Sequence, residues 1–437
     1  MFGRWLTRAL GALAGVMICV GSAQGQMTDP CTARVTRATV VSCALRASPE
    51  VYGERAGLEG LEGRQTAAGV RLPSNPSLGL TLGRRQTAAG AAEASGTTWG
   101  ASLSQELEIA GQRGARLDEV GAEQRAQRQR IVAMQREAAS AALAAYFDAL
   151  AAKEERALTE HLANLARSLA NLARGRADAG LGSAVEGELA DAASVRLLQA
   201  QFTAERRVRT TAATLATLLG QDPTRGQVQV EGELAPLPVA DAEPEALAGL
   251  ALARRAEVAV AEAEREAQER RASVLRRSRI PNPTLSIFAQ SDRADERVFG
   301  VGLSLPIPLP APLGRTYAGE IAETEALAKR AGSEAVRVRR AVLLELATSA
   351  AAVTSRKQEL ALFDAARLAR AEQALAAIAQ ELDARRLSVR DALLAQQTLV
   401  ELLQANIEAR RQLCLASAEL ARAAGIALED SPLPPFS

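Results

Sequence analysis

The segments WGASLS, residues 99–104, and FGVGLS, residues 299–304, carry the pattern that decides the fold. In both, larger apolar residues alternate with glycine or serine, and this period of two predicts strands with one apolar face and one small or polar face. Each is preceded by a second alternating segment, SLGLTL at 77–82 and TLSIFA at 284–289. The sequence therefore predicts four short strands, each about the ~9–11 residues that a tilted strand needs to cross a bilayer.

These strand pairs are part of a longer internal repeat. The motif NPSL at 75–78 returns as NPTL at 282–285, and PEV at 49–51 returns as AEV at 256–258 with the same spacing. Collinear matches at nearly constant spacing are typical of a duplicated chain. Each copy is expected to contain an opening helix, two strands, a very long helix, a turn and another long helix. The predicted domains are a signal peptide (1–25), a first repeat (26–230), a second repeat (231–427) and a C-terminal tail (428–437).

The very long helices are predicted from about Gly114 to Gly175 and from about Gly314 to Gln380. At ~1.5 Å per residue each would be ~90–100 Å long, which is too long for a compact domain. Leucines in the first helix follow the four-three spacing of helices that pair in coiled coils. The residues with this spacing are Leu158, Leu162, Leu165, Leu169 and Leu172. The predicted fold class is mainly α with a small β part, built on duplicated long helical hairpins.

The N-terminus has the features of a secretory signal. Arg4 and Arg8 precede a short apolar run, and the small residues AQG follow at 23–25. The apolar run is shorter than the ~20 residues of a membrane-spanning helix. Cys19 would suit a lipoprotein signal, but Ile18 before it is too large for the usual lipobox. We therefore predict export and cleavage of the signal.

Three cysteines remain after cleavage: Cys31, Cys43 and Cys414. An oxidising compartment permits a disulfide between Cys31 and Cys43. If a helix begins near Thr36, however, the chain before it must double back to form that bond, so both states stay open at this point. Cys414 lies in a helical pattern and is expected to be a small packed residue.

Charge and residue types exclude several function classes. The 52 Lys and Arg residues nearly cancel the 51 Asp and Glu residues, so no basic surface for nucleic acid is expected. His161 is the only histidine, and the cysteines lack metal-site spacing, so no metal site or other cofactor is predicted. No combination of acid, base and nucleophile stands out, and an enzyme of the cell envelope is therefore disfavoured.

The strand count suggests an oligomeric pore. Four strands cannot close a barrel alone, since known outer membrane barrels begin at eight. Two copies would supply eight strands, a size whose interior is filled by side chains, whereas three copies would supply twelve around an open lumen. The long helices would then continue the tube beyond the membrane into the periplasm.

This arrangement resembles the TolC-type outer membrane efflux protein family. The motifs that carry the resemblance are ASPEV, PSNPSL, IPNPTL, SLSQELEIAGQRGAR and GLSLPIPLPAPLGR, together with the two hairpin turns. It covers about residues 34–427. The resemblance implies a homotrimeric channel-tunnel in the outer membrane of a Gram-negative cell, with a 12-stranded barrel and a helical periplasmic tunnel. It also implies a periplasmic adaptor and an inner-membrane pump as partners, and lipid around the barrel.

The resemblance places a gate at the turns DAGLGSAVEGELAD and ELDARRLSVRDALLA. The family pattern there is similar to G-x-x-[ST]-x-x-D, which aligns Asp391 in the second repeat and Glu186 in the first with an acidic position. Symmetry-related carboxylates at a constriction would repel one another and favour cations, and they would need basic partners when closed. The candidate partners are Arg385, Arg386 and Arg390. The alternative is an acidic residue in the first turn of a solvated helix.

The segment LPIPLPAPLGR, residues 305–315, joins the last strand to the helix that follows. Its prolines at every second position are Pro306, Pro308, Pro310 and Pro312. Proline fixes φ and lacks an N–H, so neither strand nor helix can extend across the joint. Gly314 is expected to open the helix, with Gly114 as its counterpart in the first repeat, where no proline is present. We predict a strand-to-helix coupling that is stiffened in one repeat only.

The leading function is a passive exit duct for a tripartite efflux or secretion system. The alternative is a periplasmic coiled-coil adaptor without a membrane barrel, which also contains helical hairpins. An adaptor normally carries one hairpin, whereas this sequence predicts two hairpins and two membrane-length strand pairs. The four methionines and single histidine supply no path of soft ligands for metal ions.

Overall fold

The computed structural model describes residues 31, 34–85, 96–224, 228–242, 244–293, 296–310, 312–384, 386–426 and 428. The predicted signal peptide lies outside these residues, as does the tail except for Leu428. The described chain is mainly helical with a small sheet part, as predicted. Among the described helices, none is both long enough and apolar enough to cross a bilayer.

The order of elements follows the predicted layout. The helices are α1 (Arg37–Ala47), α2 (Pro49–Ala68), α3 (Gln112–Asp178), α4 (Ala184–Leu218), α5 (Pro244–Arg254), α6 (Ala256–Ser278), α7 (Ala318–Ala361), α8 (Ala365–Asp383) and α9 (Val389–Ala423). The strands are β1 (Arg34–Val35), β2 (Ser77–Arg85), β3 (Gly96–Glu106), β4 (Gln229–Val230), β5 (Thr284–Arg293) and β6 (Glu296–Ser304). A short 3₁₀ turn covers Pro238–Asp241.

The four long strands form one antiparallel sheet in the order β2-β3-β5-β6. Its register places like side chains in rows that cross all four strands. One face carries the row Leu78, Leu103, Ile287 and Val301 and the row Leu80, Ala101, Ala289 and Phe299. The other face carries the row Ser77, Ser104, Ser286 and Gly302. The sheet therefore has an apolar face and a face on which small and polar residues predominate.

Helix α3 runs unbroken for 67 residues, which corresponds to ~100 Å. It begins at Gln112, two residues before the predicted start. The residue before it, Gly111, has a φ of 70° and is the N-cap. A side chain is strained in this left-handed region, so Gly111 is the glycine that this joint requires. Gly114 lies inside the helix, and a Cβ there would meet no atom within 4 Å.

The second long helix differs from the prediction in two ways. It begins at Ala318 instead of near Gly314, because the chain turns first: the Gly314 N–H donates to the carbonyl of Pro310 at 3.1 Å. It is also interrupted, since α7 ends at Ala361 and α8 starts at Ala365. The carboxylate of Asp364 accepts the N–H of Arg367 at 2.7 Å and so begins a new helix inside the predicted one.

Three apolar clusters hold the helices together. The first lies around Tyr146 and Phe147 of α3, joined by residues of α1, α4 and α9, and the Tyr146 hydroxyl donates to the carbonyl of Glu231 at 2.7 Å. The second joins α5, α7 and α9. The third lies near the hairpin turns and includes Leu162 and Leu169 of α3 with residues of α8 and α9. The two hairpins are therefore packed together at their turn ends as well as near α1.

Candidate functional site

The turn between α3 and α4 is closed by a glycine and a capping box. Gly180 has a φ of 70°, and the N–H of Leu181 donates to the carbonyl of Arg176 at 2.8 Å. Ser183 is the N-cap of α4, where its hydroxyl accepts the N–H of Val185 at 3.2 Å. Glu186 reaches back to the N–H of Ser183 at 3.3 Å. Glu186, the first candidate gate acid, thus accepts a backbone N–H that would otherwise have no partner at the start of its own helix.

The turn between α8 and α9 repeats this capping chemistry. Ser388 is the N-cap of α9, and its hydroxyl accepts the N–H of Asp391 at 3.1 Å. The same hydroxyl donates to the Asp391 carboxylate, with 2.7 Å between Oγ and Oδ2. The Asp391 side chain is exposed at the tip of the hairpin. Glu186 and Asp391 therefore occupy equivalent positions, each three residues after the serine that caps its helix.

The candidate basic partners of Asp391 are placed differently from one another. Within the single chain Arg386 pairs with Glu381, with 3.4 Å between Nη1 and Oε1. The backbone explains this choice, since the N–H of Arg386 donates to the carbonyl of Glu381 at 2.9 Å and brings the two side chains together. Arg390 is exposed on the first turn of α9. Arg385 lies outside the described residues.

The two turns lie side by side. A guanidinium N–H of Arg176, in the last turn of α3, donates to the carbonyl of Leu382 at the end of α8. Arg174 pairs across the first hairpin with Asp191 of α4. The structure thus brings both acidic helix starts to the same end of the helical hairpins.

The cysteines fall into two environments. Cys31 and Cys43 form a disulfide with a Cα–Cα distance of 5.6 Å, although α1 begins at Arg37. The chain before α1 therefore does double back. Cys414 is fully buried in the first apolar cluster, and this burial raises the pKa of its thiol to about 12. It is a packed residue and not a reactive thiolate.

Where the sheet meets the helices, hydrogen bonds between side chains take over from the backbone hydrogen bonds that pair the strands. The buried amide of Gln112 donates to Asn282 Oδ1 at 2.8 Å, and the Asn282 amide donates to Glu106 Oε1 at 2.8 Å. The Glu108 carboxylate, nearly buried, pairs with Arg116. This network ties the end of β3 to the segment before β5. Sequence reasoning missed it, although the recurring NP motifs mark one of its members.

The proline segment lies beside this network. Its described prolines, Pro306 to Pro312, are exposed. A Cβ on Gly314 would meet the carbonyl oxygen of Leu309 at 2.5 Å, so only glycine fits this turn. Helix α7 then begins after Tyr317, whose φ of 53° is positive. Both helices that leave the sheet therefore start after a residue in the left-handed region.

A groove of about 650 Å³ runs between α2, α3, α6 and α7. Its walls carry ion pairs, among them Arg64 with Glu123 at 2.6 Å and Arg130 with Glu264. Burial and the neighbouring charge of Glu123 raise the pKa of Glu119, which lies one helical turn before Glu123 on α3. The described lining includes no aromatic side chain. The groove suits water and ions better than an apolar ligand.

Within the described ranges, no group of His, Cys, Asp and Glu has the arrangement of a metal site.

Comparisons with known proteins agree with this architecture. The model of the outer membrane efflux protein family matches residues 42–221. No curated protein matches the chain. Among solved structures, the outer-membrane channel OprN has a TM-score of 0.72 at 18% identity, covering 92% of this chain and 91% of that one. The outer membrane protein VceC from Vibrio cholerae has a TM-score of 0.65 at 17% identity, covering 90% and 97%. The open state of the MtrE outer membrane channel of Neisseria gonorrhoeae has a TM-score of 0.68 at 14% identity, covering 90% and 89%.

Proposed function

From the resemblance to TolC-type outer membrane efflux proteins, which these comparisons confirm, we propose that three copies of this chain form a channel-tunnel in the outer membrane. It acts as the passive exit duct of a tripartite efflux or secretion system. Its periplasmic end opens when a periplasmic adaptor and an inner-membrane pump dock. The chain carries out no catalysis in this role.

The observation that carries the proposal is the sheet with two different faces. Leucines 78, 80 and 82 of β2 are exposed on the apolar face, in line with Phe299 and Val301 of β6. Water-exposed rows of this kind are costly, whereas lipid would cover them favourably. Strands of 9 to 11 residues are long enough to cross a bilayer at a tilt.

The open edges of the sheet support closure by several copies. Strands β2 and β6 are the outer strands of the four-stranded order, so each has one side with unpaired backbone groups. Such edges are not tolerated within a bilayer, because no water is present to satisfy their hydrogen bonds. Pairing β6 of one copy with β2 of the next satisfies both edges, and three copies give twelve strands around a lumen.

The helices account for the periplasmic part. Helix α3 and the pair α7 and α8 leave the same end of the sheet and run to the two hairpin turns. In three copies these hairpins would enclose a tunnel of ~100 Å. We also propose that the chain arose by duplication of a unit, with boundaries near 26–230 and 231–427, and that the proline segment stiffens one of the two strand-to-helix couplings.

The gate is proposed at the hairpin turns. Asp391 and Glu186 sit at equivalent capped helix starts, so three copies would present up to six carboxylates around one narrow end. Such a ring favours cations and resists closure unless basic groups neutralise it. In the assembled trimer, Arg390 and Arg386 of neighbouring copies are the proposed neutralising groups.

Membrane fractionation and conductance test the duct. The full chain, expressed with its own N-terminus in a Gram-negative host, should be recovered in the outer membrane fraction as a trimer. In planar bilayers the purified trimer should conduct ions in discrete steps. Recovery as a soluble periplasmic monomer would refute the duct and favour the adaptor alternative.

The gate is tested by Asp391→Asn, which keeps an oxygen for the Ser388 cap but removes the charge. We expect a weaker preference for cations and a changed closed-state conductance. Asp364→Asn is the matched control, because Asp364 also caps a helix but lies a full helix away from the turn. Equal effects of the two variants would show that the assay reports a weakened helix cap and not a change at the gate.

A further inference from the structure

The two repeats of one chain meet where α3 packs against α6. There the Arg136 guanidinium of α3 donates to the carbonyl of Arg254 at 2.6 Å, beside the one-residue break between α5 and α6 at Arg255. Glu257, in the first turn of α6, accepts two hydrogen bonds from Arg255. Burial opposes its ionisation, but the hydrogen bonds of Arg255 and the charges of Arg255 and Arg136 lower the pKa of the Glu257 carboxyl. An arginine of the first repeat thus faces an acid of the second.

The first repeat contains the same break, between α1 and α2 at Ser48. We call the two positions the α1–α2 break and the α5–α6 break. The spacing that relates the starts of α2 and α6 also relates the residues around the breaks, pairing Ala47 with Arg254, Ser48 with Arg255 and Glu50 with Glu257. Glu50 lies in the first turn of its helix, as Glu257 does. The acid is therefore kept in both repeats, whereas the arginine before it is present in the second only.

Burial shows which residue of α7 corresponds to Arg136 of α3. Buried residues of α3 recur on α7 at one constant spacing, which pairs Val120 with Thr324, Ile131 with Ala335, Ala142 with Leu346, Ala145 with Ser349 and Ala149 with Val353. Two helices that bury the same positions also present the same positions on their other faces. At this spacing the counterpart of Arg136 is Arg340, which is again an arginine.

The α1–α2 break is open where the α5–α6 break is closed. Beside Ser48 lies a pocket of about 330 Å³ between α1, α2, α3 and α4. Glu50 and Glu137 line it, and its described lining includes no lysine or arginine. The Ser48 hydroxyl donates to Glu50 Oε2 at 2.8 Å, and this hydrogen bond lowers the pKa of the Glu50 carboxyl. Among the described residues no cation pairs with Glu50 or Glu137. The pocket therefore holds two acids and lacks a counter-charge.

Arg340 is a cation that faces away from its own copy. It is exposed on α7, and no carboxylate of the part of the chain that the structure describes pairs with it, whereas its neighbour Arg339 pairs with Glu262. The helices next to the sheet pack in the order α2, α3, α6 and α7, which is the order of the strands that they adjoin. Helices α2 and α7 are therefore the outer pair. In the proposed ring, α7 of one copy lies beside α2 of the next.

We propose that Arg340 of each copy binds at the α1–α2 break of the adjacent copy and pairs with Glu50 there. This contact repeats between copies what Arg136 does at the α5–α6 break inside one chain. The pocket beside Ser48 gives the guanidinium room, and Glu137 supplies a second acceptor. A second copy fits better than a free cation, because the equivalent contact inside the chain is already made by the equivalent arginine. The proposal rests on the proposed function, because it needs copies that lie side by side.

A cross-link tests the contact directly. Glu50→Cys and Arg340→Cys are combined in the full chain, which is purified in mild detergent and treated with a short bismaleimide. Cys414 is buried and the other two described cysteines are paired, so the reagent reaches the new thiols. We expect covalent dimers and trimers on a denaturing gel, and none from the wild type. Glu59→Cys with Arg340→Cys is the matched control, because Glu59 is exposed on α2 but lies ~14 Å farther along the helix and on its opposite face.

Charge reversal tests whether the contact is an ion pair. Arg340→Glu and Glu50→Arg should each raise the dissociation constant of the trimer by about one to two orders of magnitude, because three contacts of up to about fivefold each are lost. The constant is measured by light scattering on dilution in detergent and urea. The two substitutions together should restore most of the association. Arg340→Glu with Glu59→Arg has the same net charge and should not restore it.

Three results would overturn the proposal. A trimeric wild type, with no cross-link between positions 50 and 340 and no rescue by the paired reversal, would reject the contact but keep the duct. Equal cross-linking through position 59 would show collision between copies and not a defined contact. A monomeric wild type would reject the proposed function itself.

Discussion

Replacing Leu80 with arginine tests which face of the sheet meets lipid. Leu80 is 72% exposed and lies in the apolar row with Ala101, Ala289 and Phe299. It is roughly 10 Å along β2 from Ser77 and roughly 17 Å from the other end of the strand, so in the proposed barrel it would lie well inside the bilayer. A charge there has to be taken out of water.

An arginine on the lipid face near the middle of a bilayer costs ~2–4 kcal/mol. This corresponds to a roughly 30- to 1,000-fold loss in the equilibrium between inserted and non-inserted chains. Three copies would multiply the penalty to ~6–12 kcal/mol for the assembly. The assay is the fraction of chain that folds into vesicles as a trimer, followed by gel mobility without heating and by resistance to alkaline extraction.

Thr81→Arg is the matched control, because Thr81 is the next residue of the same strand and lies on the opposite face beside Gly100. There the guanidinium can reach the water of the lumen, and insertion should change little. If Leu80→Arg inserted as well as the wild type, or if both variants failed equally, the assignment of the apolar face to lipid would be wrong.

Further predictions concern the helices and the cysteines. Gly111→Ala should lower the free energy of unfolding by about 1–2 kcal/mol because of its φ of 70°, whereas Gly114→Ala, in an open helical position, should be neutral or slightly stabilising in the same urea titration. Removing the Cys31–Cys43 disulfide by reduction should cost about 3 kcal/mol, measured as a lower unfolding temperature with and without reductant. Cys414 should resist alkylation in the folded chain at pH 8 to 10, since its pKa is raised to about 12. An unfolded thiol ionises near ~8.5. The stability that this thiol contributes is therefore complete below that pH and lost as the pH rises toward 12, and alkylation of the native chain as fast as in urea would contradict the burial.

The strands could be predicted from the sequence because their two faces carry different kinds of side chain, and this difference appears as a strict alternation. Alternation at 77–82 and 299–304 predicted strands β2 and β6, and the structure contains both. The pairing of β3 with β5 was not predicted, since it depends on contacts between distant segments. The family likeness was likewise readable, because the paired order of weak motifs is specific even where each motif alone is not.

The helix ends were harder to predict because local and long-range signals compete there. The Ala- and Leu-rich pattern runs through residue 364, yet Asp364 caps a new helix. The start after Gly111 depends on backbone conformation that periodicity does not report. At the candidate gate, the serine and acid three residues apart are a readable capping signature. The ion pair between Arg386 and Glu381 could not be predicted, because it depends on how the backbone of the turn folds back.

The inner face of the proposed barrel has a consequence for what the duct can select. Its rows across all four strands include Ser77, Ser104, Ser286 and Gly302, then Gly79, Ser102, Phe288 and Gly300, and then Thr81, Gly100, Gln290 and Val298. Apart from the Phe288 ring, which fills the space beside Gly300, the side chains of these rows are short or uncharged and offer a passing solute no fixed charge. In the proposed trimer this stretch would conduct without sorting by charge. Discrimination among solutes therefore falls to the periplasmic helices with their ion pairs, and the membrane segment serves as an unselective outlet.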